Sequence, residues 1–251
     1  MRRTFSHAVP FELMRVVLGR LLIVAVLAAG VFVAMLAAGR IEVPSRYNPF
    51  APLVIDEAPN GLTAMKFARL KSNADLCRRV LREARGVSVT PVPNQGTGEN
   101  CGFTDAVRIE RSSVALTPGS PTATCGLAAA WAMFERHALD VAARETLGTR
   151  VVRVEHAGVY ACRNLYGRAQ GRRSEHATAN AIDVSAFVMA DGRRIDMKRD
   201  WDSEKQPERA AFLRAVRDEA CRYFNVVLGP DYNEAHRDHF HLDMGRSRVC
   251  R

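Results

Sequence analysis

Near its C-terminus the chain reads "NEAHRDHFHLDMG", Asn233 to Gly245, which places three of its seven histidines, His236, His239 and His241, within six residues. The part "HFHLD" alternates polar and apolar residues as a half-buried strand does. Alternate residues of a strand share a face. His239, His241 and Asp243 are therefore predicted to point one way, and Phe240 and Leu242 into a core. Two imidazoles on one face bind a metal together, or one binds while the other stands beside the metal's open position. A second segment offers further ligands: "SEHATANAIDVSAF", residues 174 to 187. Its "AIDVSAF" also alternates, with Asp183 and Ser185 on one face and Ile182 and Val184 on the other. His176 lies seven residues before Asp183, across a short turn. Two histidines and one aspartate form a three-ligand zinc set with an open fourth position, the arrangement of catalytic rather than structural zinc. Water held there becomes acidic near neutral pH and attacks a carbonyl. The histidine left over can stabilise the oxyanion or move a proton.

Arg172, Arg173 and Ser174 directly precede His176. A guanidinium there can grip a substrate carboxylate through two parallel hydrogen bonds, so Arg173 and Ser174 are candidate substrate-binding residues. Tyr160 and Arg163 are further cleft candidates without an assigned role. His7, His137 and His156 read as structural or solvent-exposed, and Trp131 and Trp201 as core residues.

H-x6-D followed far downstream by H-x-H resembles the pattern of the lysostaphin, D-Ala-D-Ala metallopeptidase and hedgehog superfamily. More closely, "CRNLYGRAQGRRSEHATANAIDVSAF" and "VVLGPDYNEAHRDHFHLDMG" are similar to the bacterial extensin-like C-terminal domain family, from about Leu76 to the end. The resemblance implies His176, Asp183 and His241 as zinc ligands and His239 as the catalytic histidine that is not a ligand. It implies His236 as an additional active-site histidine, as in one murein endopeptidase branch with H-x-x-H-x-H. The D-Ala-D-Ala branches often carry H-x-x-G-x-A-x-D, and here Ala179 stands at the glycine position. The implied fold is a hedgehog or DD-peptidase-like α+β domain, in which a small antiparallel sheet carries the zinc site and helices flank it. The implied substrate is the peptide part of peptidoglycan, its stems or crosslinks.

The elements that must position these residues follow from periodicity and turn chemistry. Helices are predicted near 68–85, over an Ala-rich stretch at 125–146, and in "QPERAAFLRAVRDEACRYF", where Pro207 suits a first turn. Strand alternation covers about 106–116, "TRVVRVEHAG", "NVVLG" and "HFHLDM". "PVPNQGTGENCG" reads as a loop held by Cys101, because it lacks the full G-x-G-x-x-G of a nucleotide fold. Helices mixed with short strands, without regular βαβ alternation, predict α+β rather than a doubly wound sheet.

Residues 21–39, "LLIVAVLAAGVFVAMLAAG", carry no charge and are just long enough to cross a bilayer. Basic residues before them favour a cytoplasmic N-terminus. The expected organisation is a cytoplasmic basic segment at 1–20, a signal anchor at 21–39, a Pro-rich linker at 40–66 and the metallopeptidase-like domain at 67–251. The alternative is secretion after cleavage near Gly39. Either way the domain is exported, to the periplasmic side of the inner membrane. All six cysteines follow the apolar segment, without any C-x-x-C. In an oxidising compartment they predict up to three disulfides, whose pairing sequence cannot choose. The net charge of +9 comes mostly from scattered arginines, which suits an anionic wall polymer or membrane surface better than nucleic acid. H-E-x-x-H, G-x-S-x-G and P-loop signatures are absent, which removes the common zincin, α/β-hydrolase and nucleotide-binding readings. A zinc-containing wall-binding module without catalysis is the second expectation.

Overall fold

In the computed structural model, which describes residues 11–98 and 101–251, the chain forms two separate units, Met1–Ala51 and Pro52–Arg251. Arg2, Arg3 and His7 lie outside the described residues. The first unit holds helix α1, Phe11–Ala37. At 1.5 Å per residue its 27 residues extend roughly 40 Å. Leu21, Leu22, Ile23, Val24, Val26 and Leu27 are each at least 60 % exposed around it. A 25-residue stretch of the helix is long and apolar enough to cross a membrane, and a signal sequence shares that character.

The second unit begins with α2, Thr63–Lys71, and α3, Ala74–Glu83. The single helix expected there is split because Asn73 caps a new one, its side chain accepting from the Leu76 N–H. Strands β1, Ser88–Pro91, β2, Gln95–Gly98, β3, Cys101–Phe103, and β4, Ala106–Arg111, follow. The Gly-rich segment expected as a loop is thus partly a hairpin of β2 and β3. Next come β5, Ala115–Thr117, β6, Thr122–Thr124, and α4, Cys125–Phe134. A π turn over Glu135–Leu139 leads into α5, Asp140–Leu147. The rest comprises β7, Val151–Gly158, β8, Ala181–Met189, β9, Arg194–Asp196, α6, Met197–Asp200, α7, Pro207–Ala220, β10, Val226–Leu228, β11, Phe240–Asp243, and β12, Val249–Cys250.

This is a mixed α+β domain. Its largest sheet runs β12-β10-β11-β8-β7-β5, with β9 also on β8. The central pairs are antiparallel, and only β10–β12 and β5–β7 are parallel. α4 is apolar all round and buried, from Leu127 to Phe134, as a helix at the centre of a core must be. α7 lays Phe212, Leu213, Val216 and Ala220 into the same core. Phe212 meets Phe187 of β8 edge-on at 5.3 Å, and Trp201 meets Phe240 of β11 at 5.7 Å. These contacts fix the inner face of the strands that carry the site. Leu53 and Ile55 join the core as well, so the Pro-rich segment read as linker over 40–66 docks on the domain at its far end. Its prolines mark it as irregular, but Leu53 and Ile55 still gain from burial.

Three disulfides brace the domain: Cys77–Cys125, Cys101–Cys162 and Cys221–Cys250. The first joins α3 to α4, the second ties β3 to the segment leading toward His176, and the third anchors β12 to the end of α7. They span 48, 61 and 29 residues, so loop closure alone predicts about 3–5 kcal/mol each.

The π turn places a carboxyl inside the core. Glu135 is 2 % exposed, and Trp131 Nε1 and the Ser113 N–H donate to it. Ser112 Oγ lies 2.8 Å from the Val114 carbonyl and 2.9 Å from Glu135 Oε1. Burial pushes this carboxyl up to about 8 from 4.5, against the hydrogen bonds of Ser112 and Trp131. Between those values the unfolded chain releases the proton and the folded chain keeps it, so stability falls as pH rises through that window. The decrement is on the order of 5 kcal/mol. In urea titrations from pH 4 to 9, Glu135→Gln is expected to lose this slope. An unchanged slope refutes the buried neutral acid.

Candidate metal centre

The turn that delivers His176 is built by its own neighbours. Ser174 is buried, and its hydroxyl accepts from the His176 N–H at 3.3 Å, capping a 3₁₀ turn over Glu175–Thr178. Ala179 ends the turn at φ 54°, in the left-handed region that favours glycine. Its N–H bonds back to His176 O at 3.1 Å, and Asn180 N–H to Glu175 O at 3.0 Å. Thr124 then locks the exit. Its N–H donates to Ala179 O at 2.8 Å, and its hydroxyl to Asn180 Oδ1 at 2.8 Å. Ala179 thus takes a conformation that glycine adopts more readily.

β8 starts immediately afterwards and pairs with β11 so that Asp183 stands opposite His241. Ile182 and Val184, facing Leu242 and Phe240, enter the core as expected. Ser185 departs from expectation. Against β7 the register runs from Val184↔His156 to Ala186↔Glu155, so Ser185 is the extra residue of a bulge. Its hydroxyl donates to Glu155 O at 3.2 Å instead of joining Asp183.

The three atoms at the centre are His176 Nε2, His241 Nδ1 and Asp183 Oδ1. His176 Nε2 is 3.2 Å from His241 Nδ1 and 3.1 Å from Asp183 Oδ1, and His241 Nδ1 is 2.9 Å from the same oxygen. The far side of each ring decides what these atoms are. His176 Nδ1 lies 2.8 Å from the Val159 carbonyl, which only accepts, so Nδ1 carries the proton and Nε2 presents a lone pair. His241 Nε2 lies 3.0 Å from Asp243 Oδ2, while the Gly245 N–H donates to Asp243 Oδ1. Asp243 is thereby an acceptor of the His241 Nε2–H, and His241 Nδ1, once free of a proton, also presents a lone pair. Three electron-rich atoms about 3 Å apart repel one another unless a proton or a metal ion sits among them. Such spacing suits a divalent ion with bonds of about 2.0–2.1 Å. His176, Asp183 and His241 therefore fit a metal, and the carbonyl and carboxylate behind the rings are the partners that orient ligating histidines.

Without metal, a proton fills the role. Burial alone lowers His241, but its hydrogen bonds to Asp183 and Asp243 outweigh burial and raise it to about 9. Burial alone raises Asp183, but His176 and His241 hold its carboxyl well below the usual carboxylate range.

His239 stands beside this set. Its Nε2 is 3.7 Å from Asp183 Oδ1, and its Nδ1 is 2.8 Å from Asp238 Oδ1. His236 lies against it with ring centroids 5.3 Å apart, and 5.9 Å from His241. Burial, then the neighbouring His239 and His241, lower His236 to about 4. Arg163 Nη2 is 3.9 Å from Asp183 Oδ2, the oxygen turned away from the ligand cluster. Arg173 bridges to Asn164 through its backbone. The Ser174 hydroxyl is spent on the cap, so of the two candidate substrate residues it serves the turn.

Three supports carry little sequence signal. Asp243 reads from sequence as either a support for a ligand or a surface acid, and the structure makes it the partner of His241. Asp238 carries a weaker signal, and the Val159 carbonyl carries none. An acid flanking each histidine of an H-x-H was the available clue. His137 and His156 are structural as expected. His137 Nε2 meets Ile55 O at 2.7 Å, and His156 is buried on β7.

Metal binding must displace the proton from His241 Nδ1. Zinc affinity is therefore expected to rise with pH until about 9, and to fall about tenfold per unit below that. Asp243→Asn is expected to weaken zinc roughly 10–100-fold by removing the charge behind His241. Competition with a chromophoric chelator at pH 6, 7 and 8 measures both. A pH-independent affinity refutes the protonated metal-free His241, and wild-type affinity in Asp243→Asn refutes the support that Asp243 gives this ring.

No curated protein and no solved structure matches the chain. The family model described as "Extensin-like protein C-terminus" matches residues 75–251, which include all six cysteines and every residue of the centre. With both histidine-bearing segments inside that match, the chain belongs to the extensin-like protein C-terminus family.

Proposed function

We propose that the domain is a zinc-dependent hydrolase of peptidoglycan peptides, of endopeptidase or carboxypeptidase type. In this reading α1 holds it at the inner membrane with the site on the periplasmic side. The observation that carries the reading is the division of labour around one point. His176, Asp183 and His241 turn their acceptor atoms toward each other, while His239 stands 3.7 Å away with its own carboxylate. A purely structural metal is usually closed by four protein ligands and needs no third imidazole outside the set. The H-x6-D and H-x-H spacing, which resembles the lysostaphin, D-Ala-D-Ala metallopeptidase and hedgehog group, supports the same reading. The three disulfides suit an oxidising compartment, and the +9 charge suits a carboxylate-rich polymer.

Zinc on His176 Nε2, Asp183 Oδ1 and His241 Nδ1 would supply Lewis acidity to the scissile carbonyl and acidify the attacking water. His239 moves the proton. Its Nδ1–H is held by Asp238, so Nε2 is the basic atom facing the cluster. Nε2 takes the proton of the attacking water, and the imidazolium returns it to the departing amide nitrogen as the C–N bond breaks. Asp238 stabilises the charged ring meanwhile.

The full chain in detergent, incubated with muropeptides and analysed by mass spectrometry, tests this reading. Cleavage abolished by a chelator and restored by zinc is the expected result. His241→Ala is expected to lose metal and turnover together. His239→Ala is expected to keep the metal and lose about 10²–10⁴ in kcat. Tight zinc without any cleavage would point instead to a wall-binding module that retains the site.

A further inference from the structure

The mechanism above leaves His236 without a task, yet this ring is among the most constrained near the centre. It is buried, and it packs edge-on against Tyr232 at 5.5 Å and Tyr166 at 6.3 Å, and at a tilt against His239. Its Nδ1 lies 2.7 Å from Asn233 Oδ1. An amide can be turned either way, and an imidazole has two tautomers, so this contact alone does not say which atom donates. A second contact settles it. The backbone N–H of Ala235 reaches the same Asn233 atom at 3.1 Å. A peptide N–H can only donate, so that atom is the amide oxygen. His236 Nδ1 must then carry a proton, and Nε2 carries the lone pair.

The other end of the amide agrees. Asn233 Nδ2 donates to the Tyr166 hydroxyl at 3.2 Å, and Tyr232 is hydrogen-bonded to the same hydroxyl. Tyr166 itself sits at φ 57°, ψ 23°, a left-handed conformation for a non-glycine residue. Such backbone strain persists only where the surroundings over-determine it, and it clusters at functional sites. Asn233 is thus fixed from both sides, by the turn it caps and by the tyrosine rim.

We propose that Asn233 is a positioning residue whose side-chain oxygen holds His236 in the Nδ1–H tautomer, so that Nε2 meets the substrate as a hydrogen-bond acceptor. The partner is an N–H donor of the substrate, the backbone amide or amine next to the scissile bond. His239 and His236 then divide the work, one moving a proton and the other accepting a fixed hydrogen bond. The substrate half of this inference rests on the hydrolase reading; the tautomer half does not.

Long-range ¹H–¹⁵N correlation on the zinc-loaded full chain, labelled at histidine, reads the tautomer directly. Wild type is expected to show His236 protonated at Nδ1 and unprotonated at Nε2. Asn233→Ala is expected to admit the Nε2–H tautomer and to lower muropeptide turnover at least tenfold, mainly in kcat. Asn233→Asp keeps an acceptor at the same place and is expected to restore the Nδ1–H pattern and most of the lost turnover. A wild-type His236 protonated at Nε2 overturns the proposal whatever the variants do. So does an Asn233→Ala protein with the wild-type pattern. If the tautomer is as stated but wild type cleaves nothing, the substrate role falls together with the hydrolase reading, and the positioning role stands.

Discussion

Three lone pairs aimed at one point are the constraint on which the rest of this domain depends. His176 Nε2, His241 Nδ1 and Asp183 Oδ1 lie about 3 Å apart, and each is forced into the acceptor role by what lies behind it. Such a cluster holds together only with a positive charge inside it, a proton shared by His241 and Asp183 or a metal ion. The scaffold keeps it closed. β8 and β11 hold Asp183 opposite His241 by strand pairing. The Ser174–Ala179 turn holds His176 over them. Phe240 and Leu242 on β11 and Ile182 and Val184 on β8 are sunk in the core, so neither strand can rotate its ligands away. A metal ion could take the place of the proton there.

Much of this was legible in the sequence, for a physical reason. Strand alternation has a period of two, so one polar face and one apolar face in "HFHLD" and "AIDV" leave little choice about direction. The α+β class, the core roles of Trp131 and Trp201, and the ligand candidates follow from patterns of that kind. What escaped depends on geometry that composition does not encode. The bulge at Ser185 changes which residues share a face, and a one-residue insertion is invisible in an alternating string. The break between α2 and α3 hangs on one capping asparagine. The docking of Leu53 and Ile55 looked like linker, because prolines around them dominate the local signal. Disulfide pairing needs distances in space, and six cysteines on a string supply none.

The segment between β7 and the His176 turn shows how the covalent frame serves the site. Residues 159–173 carry the Val159 carbonyl that fixes His176, the Arg163 that faces Asp183, and the Tyr166 that meets Asn233. They contain little regular structure, only a short 3₁₀ turn and one bridge between Asn164 and Arg173. A loop of this length has many conformations to lose. Cys101–Cys162 removes part of that freedom at its start, and Asn164 removes more by donating to Arg168 O and Ala169 O. A ligand histidine can therefore be oriented by a loop carbonyl, which would otherwise be a poor anchor.

The two histidines of H-x-H are built on the same device with opposite settings. Each has one ring nitrogen held by an aspartate, His241 by Asp243 and His239 by Asp238. The side chains of His241 and Asp243 are 12 % and 6 % exposed, whereas Asp238 is 55 % exposed. Inside, where the dielectric is low and water is absent, the carboxylate fixes the ring and makes its far nitrogen a strong donor to a metal. At the surface the same carboxylate is screened by solvent and holds its ring less firmly. A ring held that way can gain and lose a proton without dismantling the centre. In the proposed function, this difference in burial would separate the ligand from the group that moves protons, although the residues themselves are identical in type and two positions apart.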